Sequence, residues 1–464
     1  GAAPPVRPLS GSTVLGQERP EDDARARARR PGASTERLPV AVWCLLIGLA
    51  FNIFSGFSSR MGLPVGPDRL LLAAAVLLVV LSPGPPRLRM HAPHWAMALL
   101  ALIGILSAWT HGNLLETNAM FALLDRLIVP FVLFATAPAL LATPLRRRRL
   151  LQTLTLVGAY LSVVTFLEAA RLYSLILPRY IPAVKIERLT EYPQEIQRAG
   201  GPFVSGEPNG MALAMCGFAA FALARLVQGR WRTIAAIVAP LCLVATVLSM
   251  TRSVWLGVAI GVVGVVASTR SLWRWVPAMI GGCVVLATAA ALAFPTVVAD
   301  ITERGGTSRS LWDRQNTNAA AVAIMEDHPL TGIGWQQFAK EGRYWVSQDE
   351  DRPLTNVDIE VHNVFLSRGA ELGVPALVLF CLALLTGPVA VLGHRRRGEP
   401  EVWRMLVLAC FSVWLVVCLT SPNSYPFPAL VLWTITGYAH ARLVSGTPGL
   451  QDAPVLSPQE SPCR

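Results

Sequence analysis

From Leu38 onward the chain is a succession of apolar runs separated by polar segments. The runs fall near 38–57, 64–82, 95–110, 127–143, 150–170, 208–227, 233–250, 254–268, 275–297, 366–392, 403–420 and 427–444. This pattern predicts an all-α, polytopic membrane protein with about twelve transmembrane helices and a partly helical outward-facing loop. Several runs fall short of the roughly 20 residues of an ideal span, which leaves a merged or split pair open. The expected organisation is a disordered tail over 1–36, helices one to nine over 37–297 with an outward loop at 171–207, a large outward loop domain over 298–362, helices ten to twelve over 363–445, and a second disordered tail over 446–464.

Composition sharpens this reading. Of 464 residues, 53% are hydrophobic and 15% charged, and the mean hydropathy is +0.48. A soluble enzyme of this length is excluded, and about twelve spans leave no room for a large separate soluble domain. The net charge of +11 is carried almost wholly by arginine, since Lys185 and Lys340 are the only lysines. Alternate loops hold Arg87 and Arg89, Arg146 to Arg149, Arg230 and Arg232, Arg270 and Arg274, and Arg395 to Arg397. The positive-inside rule places these loops and both termini in the cytoplasm, and Arg25, Arg27, Arg29 and Arg30 of the leader agree. Basic charge so distributed reports membrane orientation, and no nucleic-acid partner is expected. The first apolar run has no small-residue cleavage site after it and reads as a retained helix. None of the eight cysteines forms a CxxC or Cys/His ligand spacing, so they read as small packing residues.

Function is therefore sought in the two long outward loops. The 298–362 loop holds eleven acids and six Lys/Arg, the opposite sign to the cytoplasmic loops. Within it Thr307 to Asp327 reads as a helix with Ser308 or Ser310 as N-cap, followed by His328-Pro329 and a bend at Gly332-Ile333-Gly334. Arg252 sits in the short hinge Ser249–Ser253, held at the outer lipid boundary, where it is either an anion site or a snorkelling arginine. Arg198, Arg309, Arg314 and Arg368 fall on the same side. Guanidinium forks there suit a diphosphate, although Arg314 can instead pair with Asp313 and Arg368 with Glu371. In the segment Glu360 to Gly373, His362 can be neutral near pH 7 and accept a proton from a sugar hydroxyl. His111 and His328 are competing histidines on that side.

His362-Asn363, nine residues and then Gly373 resembles the HN-x9-G signature of the O-antigen ligase and Wzy-type polymerase superfamily, polytopic enzymes acting on polyprenyl-diphosphate-linked glycans. Arg309-Ser310-Leu311-Trp312, the stretch His328-Pro329-Leu330-Thr331-Gly332-Ile333-Gly334-Trp335-Gln336-Gln337-Phe338, and Thr251-Arg252-Ser253 are similar to further landmarks of that family. The likeness covers roughly residues 195–445 and departs from the pattern beyond Gly373, where Pro375-Ala376 stands in place of a glycine. The resemblance implies that Arg252 and Arg309, helped by Arg198 and with Arg314 and Arg368 nearby, hold the donor diphosphate. It implies that His362 activates the acceptor hydroxyl, with Asn363, Glu371, Gly332 and Gly334 shaping the site. Glycan transfer with inversion, as ligase or polymerase, at the outer side of a bacterial cytoplasmic membrane is the expected activity. The expected partners are the lipid-linked glycan, a glycan or lipid acceptor, and membrane lipids.

No cofactor and no metal are expected. The first outward loop, Ser58 to Pro67, has Arg60 and no acid before Asp68, and Asp349-Glu350-Asp351 reads as a solvated tip. The alternative is a twelve-helix secondary transporter or a lipid-linked-glycan flippase. Such proteins place functional charges near the midplane, where this sequence offers only Glu168, close to the outer end of its span. A scaffold role leaves the outward arginines unexplained.

Overall fold

A computed structural model describes residues 37–57, 65–82, 90–191, 198–274, 309–346, 360–394, 398–422 and 425–444, with positions 1, 62, 276, 277, 281 and 288. Both tails, Arg60, Ser308, the 349–351 acidic run and nearly all of the ninth expected span lie outside these residues. Among the described residues the protein is all-helical, as expected.

The helices are α1 (Val40–Asn52), α2 (Pro67–Val80), α3 (Ala92–Thr110), α4 (Thr117–Leu140), α5 (Pro144–Ala169), α6 (Tyr180–Glu191), α7 (Gly206–Leu226), α8 (Arg230–Leu248), α9 (Arg252–Ser268), α10 (Arg309–Asp327), α11 (Val364–Leu372), α12 (Val374–Leu392), α13 (Glu399–Cys418) and α14 (Pro426–Val444). Seven of them, α3, α4, α5, α7, α8, α12 and α13, are long and apolar enough to cross a membrane, while α1 and α9 are apolar but shorter. The expected count of about twelve is thus reached only in part among the described residues. The 366–392 run, expected as one helix, is broken by Gly373, with φ of 85°, into α11 and α12, and the candidate span begins at Val374.

The bundle is organised around α7, which packs against α5, α8 and α13. Its sequence explains this position. Gly206, Gly210, Ala212, Ala214, Gly217, Ala219, Ala220 and Ala222 let neighbouring backbones approach, and van der Waals contact between small residues is what drives helix association where lipid supplies no hydrophobic gain. A second close crossing joins α9 to α13. A Cβ at Gly257 would lie 2.7 Å from the Cα of Val413, and one at Gly261 3.2 Å from the Cα of Ala409.

α4 carries a π turn at Leu124–Ile128. The turn brings Asp125 to Arg69 of α2 at 2.7 Å and Arg126 to Glu360, just before α11, at 2.9 Å. Charge pairs therefore tie two spans and the loop to one end of the bundle.

Candidate active site

The candidate side chains stand on or beside α4, α7, α9, α10 and α11, of which α10 packs on α11 and α9 on α7. α10 covers the expected loop helix, starting at Arg309. Ser310 lies inside its first turn. The chain beyond α10 folds back on α11: the amides of Ile333 and Gly334 donate to the carbonyls of Ala370 and Glu371 at 2.9 and 3.0 Å, and Val374 donates to Pro329 at 2.8 Å. Gly332 has φ of 63°, and a Cβ there would run into the backbone of Ala370 and Glu371; a Cβ at Gly373 would overlap the Leu330 carbonyl. A side chain at either position must unseat this pairing. Gly334 lies against the His111 ring.

Trp335 anchors the same turn to the rest of the bundle. Its side chain is fully buried, its indole donates to Ala119 at 3.0 Å, and its carbonyl accepts from Asn113 at 2.7 Å. Asn363 caps α11, its Oδ1 accepting from the amides of Phe365 and Leu366 at 2.9 and 3.3 Å. The asparagine of the His-Asn pair thus fixes the start of the helix and with it the position of His362.

His362 is half-buried, and its Nδ1 makes no well-aligned hydrogen bond. Burial pushes the imidazole below its usual pKa and the Arg314 guanidinium pushes the same way, opposed by Asp313 and by the backbone and carboxylate of Glu360. Burial and the Arg314 charge thus favour the neutral ring. Arg314, in turn, lies within electrostatic range of Glu207 and Arg252, and Glu207 within range of Arg198. The structure thus strings His362, Arg314, Arg252, Glu207 and Arg198 into one contiguous group.

Arg198 is set by its neighbours: the Gly200 amide donates to Glu168 at 2.8 Å, and Asn209 donates to the Ala199 carbonyl at 3.0 Å. Glu168 is in this way committed to the backbone of the loop. The side chain of Arg309 lies outside what is described, although its backbone opens α10.

Arg368 sits lower. It is 3% exposed, its guanidinium is 5.0 Å from the Trp335 ring centroid, and Glu371 lies 4.0 Å away. With Arg126 and Val364 it lines a cavity of about 40 Å³. Removing one partner of such a buried pair strands the other, so Glu371→Ala should destabilise the protein by about 3–5 kcal/mol; thermal unfolding in detergent measures this. The competing histidines are engaged elsewhere: His111 Nδ1 lies 2.8 Å from the Ser107 carbonyl, and His328 pairs with Asp327 at 3.1 Å.

Three residues of the site were not singled out by the sequence. Glu207 stands in the first turn of α7, where an acid reads as favourable to the helix dipole; here it also accepts a hydrogen bond from Ser421 in the α13–α14 turn. Arg126 and Glu360 meet across 234 positions through the π turn, which hydrophobic periodicity does not reveal. Among the described residues, no group of three or more His, Cys, Asp or Glu is placed to hold a metal ion.

Residues 235–381 match the family model described as O-Antigen ligase. The matched stretch runs from α8 into α12 and contains Arg252, Arg309, Arg314, His362, Asn363, Arg368 and Glu371, but not Arg198. No curated protein matches the chain.

Proposed function

Taking residues 235–381 as an O-antigen ligase region within a multi-helix membrane protein, which supports placement in the O-antigen ligase and Wzy superfamily, we propose that the chain transfers a glycan from a polyprenyl diphosphate to an acceptor hydroxyl. The observation that carries this reading is that His362, whose burial favours the neutral ring, lies within electrostatic range of Arg314, and Arg314 within range of Arg252. Arg314, Arg252 and Arg198 would hold the diphosphate, a duty the family resemblance extends to Arg309. Guanidinium forks match phosphate oxygens and keep their charge at any physiological pH, which suits them to this duty.

His362 takes the proton from the acceptor hydroxyl as its oxygen attacks the anomeric carbon. The glycosidic bond to the diphosphate breaks and polyprenyl diphosphate leaves as an anion stabilised by the arginines, so a single displacement inverts the anomeric centre. Arg126 holds Glu360 at 2.9 Å, and Glu360 favours the protonated ring once the proton has arrived. The site sits at the end of the bundle where α3 and α5 terminate and α7 and α9 begin; Arg146 to Arg149 and Arg230 lie at the start of α5 and α8. The positive-inside rule puts those arginines in the cytoplasm and the site outside.

The test is incubation of the purified protein with a labelled polyprenyl-diphosphate oligosaccharide, with and without chelator. Transfer undiminished by chelator is expected, since arginine charge serves the leaving group. A ladder of products identifies a polymerase, and one shifted species with added acceptor identifies a ligase. Movement of label across vesicles without turnover would overturn the reading in favour of a transporter.

A further inference from the structure

The segment that follows α5 folds back along the helix it leaves. The Tyr160 hydroxyl donates to the Leu177 carbonyl at 2.8 Å, and Tyr160 lies about 14 Å before the end of α5 at about 1.5 Å per residue. Ile176, Tyr180, Ile181 and Val184 form one buried apolar cluster with Val164 of α5, and Tyr180 stacks on Phe57 at 5.1 Å. What this leaves outside is apolar as well: Leu172, Leu175 and Leu177 are 47%, 63% and 60% exposed. Depth decides what they meet. A hydrocarbon core of about 30 Å takes about 20 helical residues, and counted from Leu150, which follows Arg146 to Arg149, it ends near Ala169. The last turns of α5 therefore lie in lipid, where Val163 is 58% exposed, and Leu177 is fastened beside them. Between Ala169 and Glu187 the chain carries Arg171, Arg179 and Lys185 and no acid.

We propose that residues 171–179 form a ledge seated on the bilayer, with Leu172, Leu175 and Leu177 in the acyl region and Arg171 and Arg179 on the phosphates of anionic phospholipids in the leaflet at that end. Buried apolar area and basic charge together seat an interfacial element, and the charge selects an anionic over a zwitterionic headgroup. Arg179 is set for this duty: its Nη1 donates to the Ser174 carbonyl at 2.6 Å, which keeps the guanidinium beside the leucine-bearing turn while the residue stays exposed. The chain just beyond the ledge grips the loop that carries Arg198. Tyr180 donates to the Pro202 carbonyl at 2.7 Å, Arg188 to that of Val204 at 3.0 Å, and Lys185 to that of Arg198. A ledge held at the lipid phosphates thus fixes the level of Arg198 relative to them.

The experiment places the full chain in nanodiscs that contain phosphatidylglycerol, with a photoreactive diazirine amino acid in place of Leu175. Illumination should give phospholipid adducts, seen as a mass shift of the peptide. The same group in place of Leu115, 86% exposed beside Glu116 in the α3–α4 connection, should give far fewer. In detergent, added phosphatidylglycerol should raise the unfolding temperature of the wild-type protein at lower concentration than phosphatidylcholine does. Its apparent affinity should fall about fivefold in Arg171→Gln or Arg179→Gln and about 30-fold in the double variant, the scale for single basic residues at an anionic surface. Arg179→Lys keeps the charge without the fork held by Ser174 and should stay near wild type, which separates lipid attraction from a purely structural role. Cross-linking to a second copy of the chain in place of lipid assigns the surface to a dimer and overturns the proposal. Adducts no more frequent at Leu175 than at Leu115 overturn it as well. Equal affinity for the two headgroups, or an affinity unchanged in the double variant, overturns the choice of an anionic partner. None of these readouts requires glycan transfer, so each stands whether or not the transfer reading does.

Discussion

Replacing His362 by alanine should lower glycan transfer by about 10²–10⁴-fold, the range that a positioned general base contributes. Folding and donor binding should be little changed, because the ring makes no well-aligned hydrogen bond through Nδ1 and the cap of α11 is supplied by Asn363. The loss should therefore fall on kcat. His362→Gln, which keeps a polar side chain but cannot take up the proton, should be as inactive as the alanine variant. In the wild-type protein the acidic limb of kcat/KM should lie below the usual imidazole range. Burial and the Arg314 charge both favour the neutral ring, so pH must fall further before protonation removes the base. Wild-type rates in either variant would strip His362 of this role.

Arg314 variants separate the two duties assigned to that residue. Arg314→Lys keeps the charge and loses the planar fork, and should reduce kcat/KM for donor by about 10²–10³-fold, the scale on which single donors to developing negative charge act. Arg314→Gln removes the charge as well. With the cation gone, one of the two influences depressing the His362 pKa disappears, so the acidic limb should move to higher pH as well as the rate falling. The sign matters: a limb that stays in place means that the titrating group is not the neighbour of Arg314. A lysine variant as active as wild type would reduce the guanidinium to a simple point charge.

The helical class and the broad order of apolar runs were legible because a bilayer demands long uninterrupted apolar segments. The alternation of arginine-rich loops led to the expectation that Arg252, Arg314, Arg198 and His362 share one side of the membrane, and the electrostatic range of Arg314 to His362, Glu207 and Arg252 is compatible with it. Other features were hidden for identifiable reasons. The 366–392 run is uniformly apolar enough to mask the break at Gly373, which arises from a positive φ and from backbone pairing with the Pro329–Gly334 turn. Asp125 and Arg126 abut the expected 127–143 span, and only the π turn of α4 aims them at Arg69 and Glu360. Arg368 reads from sequence as one more cation beside the others, yet it lies buried on Trp335. Whether an arginine faces water or an indole depends on tertiary packing that no local pattern encodes. His362 and Asn363 stand adjacent in sequence with different duties: Asn363 caps the start of α11, and the base is the role proposed for His362.

The hydrogen bonds from Ile333 and Gly334 to Ala370 and Glu371 have a practical meaning for domain grafting. They make 328–338 and 360–374 two halves of a single interlocked insert. Chimeras with related membrane proteins that exchange only one half would leave mismatched backbone edges and an unseated tryptophan. Exchanges intended to transplant acceptor preference should carry both halves together, along with the partner of Trp335 in the α3–α4 connection, Asn113.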